Sequence, residues 1–109
     1  MAYDKILVQR VREEMSDLPG YVEKKMFGGV GFMLNGNMAC GVNGADLIVR
    51  VGPELYESAL AEPHTKPFDM TGRPMKGWVF VIAEGCEADG NLKAWVQRGV
   101  EYALSLPAK

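Results

Sequence analysis

Two Asn-Gly pairs, Asn35-Gly36 and Asn43-Gly44, stand between short apolar runs and constrain the middle of this chain more than any other feature. Asn-Gly accepts the positive φ angles of a tight type I′ hairpin, the turn that matches the twist of two antiparallel strands. The runs KKMFGG, VGFML, MACGV and DLIVRV around these pairs predict an antiparallel four-strand meander beginning at Val22. Along DLIVRV, Leu47, Val49 and Val51 alternate with Ile48 and Arg50, so one face of the strand meets the core and the other meets water or a second layer. In MACGV the same spacing of two puts Met38, Cys40 and Val42 on one face.

Helical periodicity brackets this meander. In YDKILVQRVREEMSDL, apolar residues recur at Tyr3, Leu7, Val11, Met15 and Leu18, with Ile6 and Val8 beside them, until Pro19-Gly20 ends the pattern. After Gly52-Pro53, PELYESALAE predicts a short helix with Leu55, Ala59 and Leu60 inward, stopped by Pro63. The stretch PHTKPFDMTGRP, dense in proline, reads as the longest loop. MKGWVFVIA is then a strand rich in aromatic and β-branched residues, and Asn91 to Leu106 a helix with Leu92, Trp95, Val96, Gly99, Val100, Ala103 and Leu104 on one face. Gly99 inside that stripe implies a close approach to the sheet. The sum is one α+β domain over residues 1–109, with an antiparallel sheet of about five strands in the order helix, four-strand meander, short helix, strand, helix.

Composition agrees with a single core: the 109 residues are 48% hydrophobic and 24% charged. The longest apolar run, Val79 to Ala83, is far shorter than the roughly 20 residues that span a bilayer, and the first residues lack a signal-peptide core, so a cytoplasmic protein without membrane contact is expected. Cys40 and Cys86 are expected to be free thiols, since two cysteines outside any CxxC pair make no disulfide framework.

The glycines of MFGGVGFMLNG could be taken for a phosphate cradle. A dinucleotide fingerprint, however, needs a third glycine where Leu34 stands, and a helix directly after the turn; no Gly-Lys-Ser/Thr follows for a Walker loop either. We read Gly28 and Gly29 as a hinge between the first two strands and Gly31 as a thinning of the second strand where a helix or a backbone comes close. A thiol dyad of Cys40 with His64, the sole histidine, is disfavoured by the apolar neighbours of Cys40. Two cysteines and one histidine spread along the chain form no metal-ligand cluster. The expectation is a non-enzymatic protein with no metal and no cofactor.

Net charge is −2, so no global field draws the chain to nucleic acid. Locally, Lys24, Lys25, Arg50, Lys66, Arg73 and Lys76 are candidate phosphate contacts, with Phe27 and Phe68 as stacking partners. Acidic residues through the same region offset these bases, so any nucleic-acid binding should be weak.

The run EKKMFGGVGFMLNGNMACGV, followed by DLIVRV, PFDMTGRPMKGWVFV and a terminal amphipathic helix, resembles the N-terminal domain of the TfoX/Sxy family, regulators of natural competence. Nearly the whole chain takes part, and Met-Phe-Gly-Gly with its following hairpin is the most specific element. The resemblance implies an α+β fold similar to that of secretion chaperones. It also implies kinship to a transcriptional co-regulator acting beside a DNA-bound activator, and it brings no catalytic residues. Full-length competence regulators carry a second, C-terminal domain resembling nucleic-acid-binding helical modules, and the match here is to the first domain only. A regulatory module with a protein partner is therefore expected; weak nucleic-acid binding through the basic loop, or a small enzyme of another type, are the alternatives.

Overall fold

The computed structural model describes residues 3–26, 28–69, 72 and 75–108. Helix α1 spans Lys5–Met15 and starts where Asp4 caps it, its Oδ1 accepting from the Ile6 and Leu7 amides at 2.8 and 3.2 Å. Leu7, Val8, Val11 and Met15 form its buried stripe, whereas Ile6 points to solvent. Strands β1 (Tyr21–Met26), β2 (Gly29–Leu34), β3 (Asn37–Asn43) and β4 (Asp46–Arg50) then form the expected meander. At Asn35-Gly36 both φ angles are positive, 54° and 84°, as a type I′ turn requires. The second turn differs: Asn43 pairs with Asp46, leaving Gly44 and Ala45 as the loop with positive φ at Gly44 alone, the pattern of a type II′ turn.

The short helix α2 covers Tyr56–Leu60, with Ala59 buried and Leu60 packed on the core. Leu55, expected inward, is 54% exposed because it precedes the helix as its cap. The proline-rich stretch is not all loop. Thr65–Pro67 forms β5, paired antiparallel with β6 (Trp78–Val81), so the sheet has six strands in the order β1-β2-β3-β4-β6-β5. Proline is tolerated there because an edge strand needs no outward hydrogen-bond donor. Thr65 also ties α2 to this edge: its hydroxyl lies 2.8 Å from the Glu62 carbonyl and close to those of Ala59 and Leu60. A 3₁₀ turn at Ala83–Cys86 leads into α3, Asp89–Ser105.

Both long helices cover one sheet face. Their apolar stripes meet Phe32, Leu34, Cys40, Val42, Leu47, Val49, Val79 and Val81 in the main core. Trp95 and Val100 are buried as expected, while Leu104 lies outside the stripe and is exposed. Gly99 makes the close approach: a Cβ there would overlap the Ala39 carbonyl oxygen and come within 2.8 Å of Cys40 Sγ.

A bulge between β2 and β3 overrides simple alternation. Phe32 pairs with Cys40 but Met33 pairs with Met38, so Ala39 is the extra residue. Met38 consequently lies on the opposite face from Cys40, not beside it, and joins a second cluster with Ile48, Phe68 and Phe80.

Gly99→Ala should destabilise the domain by about 1 to 3 kcal/mol, the usual range for overpacking. Gly90→Ala, with nothing within 4 Å of the added Cβ, should be neutral or stabilising by up to about 1 kcal/mol. Thermal unfolding of both variants checks the contrast, at roughly 4 to 8 °C per kcal/mol for a domain of this size.

Candidate functional site

Helices cover one face of the sheet, and the other face carries most of the sequence-flagged side chains. Strand pairing places Lys24 and Met26 of β1, Met33 of β2, Met38 of β3, Ile48 and Arg50 of β4, and Trp78 and Phe80 of β6 there. Lys66 of β5 stands opposite Phe80 on the same side. Its centre is closed by Phe68, whose ring lies 5.0 Å from Phe80 and 5.8 Å from Trp78. Phe68 is only 1% exposed, so it is a packing residue and is not offered to a nucleobase. Met26, Met33 and Trp78 surround this cluster and remain half-buried.

The glycines of the opening strands fit this face. Gly28 adopts φ 73°, and a Cβ on Gly29 would overlap the Val42 carbonyl oxygen, so both act in the hinge between β1 and β2. Gly31 departs from its expected role: what comes close is the Met26 side chain, whose sulfur would lie 2.8 Å from an added Cβ. Across the ladder its partner Gly41 receives the Met38 methyl in the same way, at 2.6 Å from the corresponding position. Two methionines thus lie over a glycine pair, and the thioether's flexibility suits such a shallow trough.

The basic candidates do not converge as one patch. Lys24 sits on edge strand β1 and Lys66 on the opposite edge strand β5, five strand spacings away, about 24 Å at about 4.8 Å each. Lys25 points to the helix side, where it lines a cavity with Tyr3, Arg12 and Glu23. Lys66 Nζ is 3.7 Å from Asp46 Oδ2 and stands 5.3 Å over the Phe80 ring. Lys76 is exposed. Phe27 and Arg73 lie outside the described residues.

Arg50 is held differently from the lysines. Its guanidinium carbon lies 5.0 Å from the Trp78 ring centre and 5.3 Å from that of Tyr102 on α3. Neither aromatic was picked out by sequence patterning. The cross-strand pairing of Arg50 with Trp78 follows from the register, but Tyr102 reaches it only through the folded path of α3.

Beside Lys24, the carboxylate of Glu23 accepts two hydrogen bonds from Arg12, at 2.6 and 2.9 Å, and a third from the Tyr21 hydroxyl. Hydrogen bonding to Arg12 holds the Glu23 carboxyl below the usual carboxylate range, and burial with the Glu23 contact pushes the Tyr21 phenol up. This network fastens α1 to edge strand β1. Burial likewise raises both thiols: Cys40, fully buried with Sγ 3.8 Å from the Val96 carbonyl, and Cys86, pushed up to about 11. Cys40 and His64 share no hydrogen bond, and His64 is exposed at the entrance to β5. Among the described residues no three histidine, cysteine or acidic side chains cluster as metal ligands. Among them, too, no helix is long and apolar enough to cross a membrane.

Two measurements test these environments. Neither Cys40 nor Cys86 should react quickly with a thiol reagent at neutral pH in the folded protein, whereas both should label after denaturation; mass spectrometry of the labelled peptides reads the result. Because the Glu23 carboxyl is depressed in the fold, its contribution is present above the unfolded value of about 4.3 and fades as pH falls through the folded value. The Tm advantage of wild type over Glu23→Gln should therefore be full at neutral pH and shrink below about pH 4.

The family model of the TfoX N-terminal domain covers residues 13–103, from the last turn of α1 to near the end of α3. No curated protein and no solved structure matches the chain. With the family model spanning nearly the entire sheet-and-helix unit, the chain belongs to the TfoX N-terminal domain family.

Proposed function

We propose that this domain is a non-enzymatic, cytoplasmic regulatory module, related to competence regulators, that works by binding a protein partner. The observation that supports this reading is the sheet face opposite the helices. It carries half-buried Met26, Met33 and Trp78 around a closed aromatic centre, with Val22 49% exposed at its edge. Methionine and tryptophan surfaces adapt to and anchor protein partners. The match to the TfoX N-terminal domain supports a regulatory role, since the resemblance implies kinship to a transcriptional co-regulator.

Weak nucleic-acid binding is the competing reading, favoured by Arg50 and Lys66 lying on that same face. It draws less support because Phe68 is buried and Lys66 already has Asp46 as a partner. The two readings differ in salt response: phosphate contacts release counterions and weaken steeply with salt, whereas apolar contacts do not.

The test is affinity capture from native lysate, with and without nuclease, using wild type, Val22→Glu and Met33→Glu. A protein partner should survive nuclease and moderate salt and be lost from both variants while their circular dichroism matches wild type. Capture that vanishes with nuclease, or that both folded variants retain in full, would overturn the reading.

A further inference from the structure

The end of β4 assembles a cation that no acceptor among the described residues uses. Arg50 precedes Val51-Gly52, and the chain turns at Gly52 with φ 88°. A Cβ at Gly52 would meet the Tyr102 ring at 2.5 and 2.6 Å, so the missing side chain is what admits Tyr102 to this corner. The Val51 and Gly52 amides both donate to the Gly77 carbonyl, at 2.8 and 3.0 Å, which locks the turn beside the start of β6. Trp78 and Tyr102 then take positions about the guanidinium.

Aromatic contact satisfies a guanidinium's faces and leaves its in-plane N–H donors unspent. Among the described residues no side chain or carbonyl accepts a hydrogen bond from Arg50, and no carboxylate pairs with it. This contrasts with Arg10, Arg12 and Arg98, each of which has a carboxylate partner. A planar fork held in place and left unpaired fits an acceptor with two oxygens in a plane.

Tyr102, whose ring centre lies 5.3 Å from the Arg50 guanidinium carbon, also lines a groove of about 290 Å³ with Val51, Gly52, Pro53, Glu54, Leu55 and Ser105, a groove that Arg50 borders through this ring and does not itself line. Leu55 is 54% exposed there. Apolar surface and a single cation suit a short aliphatic segment bearing one negative charge. A polyanion suits it poorly, because Glu54 on the groove repels every phosphate laid along it, whereas a lone carboxylate can sit at Arg50, outside the groove lining, with only its apolar neighbour in the groove.

We propose that Arg50 and this groove bind a peptide segment of the partner protein, its carboxylate taken by the guanidinium and a neighbouring aliphatic side chain laid against Pro53 and Leu55. The inference rests on the protein-binding reading above and gives it a second, chemically specific contact. Arg50 supplies orientation as well as charge, so lysine cannot replace it: an ammonium keeps the charge but loses both the fork and the aromatic contacts.

The probe is a capped four-residue peptide with one aspartate flanked by leucines, titrated into the ¹⁵N-labelled protein and followed by NMR. A matched peptide with asparagine and a ten-nucleotide oligothymidylate serve as comparisons. The aspartate peptide should shift the Arg50 Nε–H and the amides of Val51, Gly52 and Glu54, and the asparagine peptide should bind at least about tenfold more weakly. Arg50→Lys and Arg50→Gln should lose affinity for the aspartate peptide by a similar factor. Equal binding of the two peptides needs no variant to read and would sink the proposal; so would absence of shifts at millimolar peptide, or displacement of the peptide by the oligothymidylate. Capture of a protein partner by wild type and Arg50→Gln alike would remove this site while leaving the broader protein-binding reading intact.

Discussion

The packing of α3 onto β3 at Gly99 is the contact on which both faces of the sheet depend. At this crossing the helix backbone lies against the Ala39 carbonyl, and Ala39 is the bulged residue of β3. The bulge and the glycine are therefore two halves of one arrangement. An extra residue accentuates the local twist and disturbs the strand's regular ladder, and a helix position without a side chain accommodates the displaced backbone. Cys40, the next residue, closes the seam with its thiol toward the Val96 carbonyl. A larger group at either position forces the helix away from the sheet and opens the main core along Trp95, Val96 and Val100.

The same bulge determines what the far face contains. Without Ala39 as an insert, Met38 would follow Cys40 and Val42 into the main core. With it, Met38 turns outward over Gly41 and extends the apolar cluster of Ile48, Phe68 and Phe80. The far face thus acquires a hydrophobic centre, and no helix among the described residues covers it. Phe68, from the segment after β5, supplies the closure, and Met26 and Met33 remain half-buried at its margin, the surface on which the proposed protein contact rests.

Local patterning made much of this legible. The stripe of Leu7, Val11 and Met15, the alternation of Leu47, Val49 and Val51, and the Asn35-Gly36 turn each encode their own geometry within a few residues. Even the close approach at Gly99 showed, because glycine in an apolar stripe has few other reasons to be there. What sequence spacing did not show were the features set by partners far along the chain. The bulge at Ala39 has no local signature, so alternation carried Met38 to the wrong face. Strand β5 hides among prolines, since an edge strand is defined by the neighbour it pairs with, here β6, more than by its own residues. Arg50 was picked out as a base, but its aromatic partners come from β6 and α3, and Gly52 admits the second of them.

The charge layout bears on the proposed choice of a protein partner over a nucleic acid. A nucleic-acid strand presents regularly spaced phosphates, so affinity grows from cations set in a row along its path. On this face the described cations are Lys24 at one edge and Arg50 and Lys66 toward the other, with methionine and aromatic side chains between them. Lys66 shares Asp46, and Arg50 has the Trp78 and Tyr102 rings beside its guanidinium, which leaves it less open to a passing phosphate than a free surface cation. Such an arrangement loses little by leaving most of the surface uncharged, provided the ligand brings apolar side chains and only an occasional carboxylate. A folded or extended protein segment has that composition and a phosphate backbone does not, so the spacing of the charges, more than their number, argues for protein over nucleic acid.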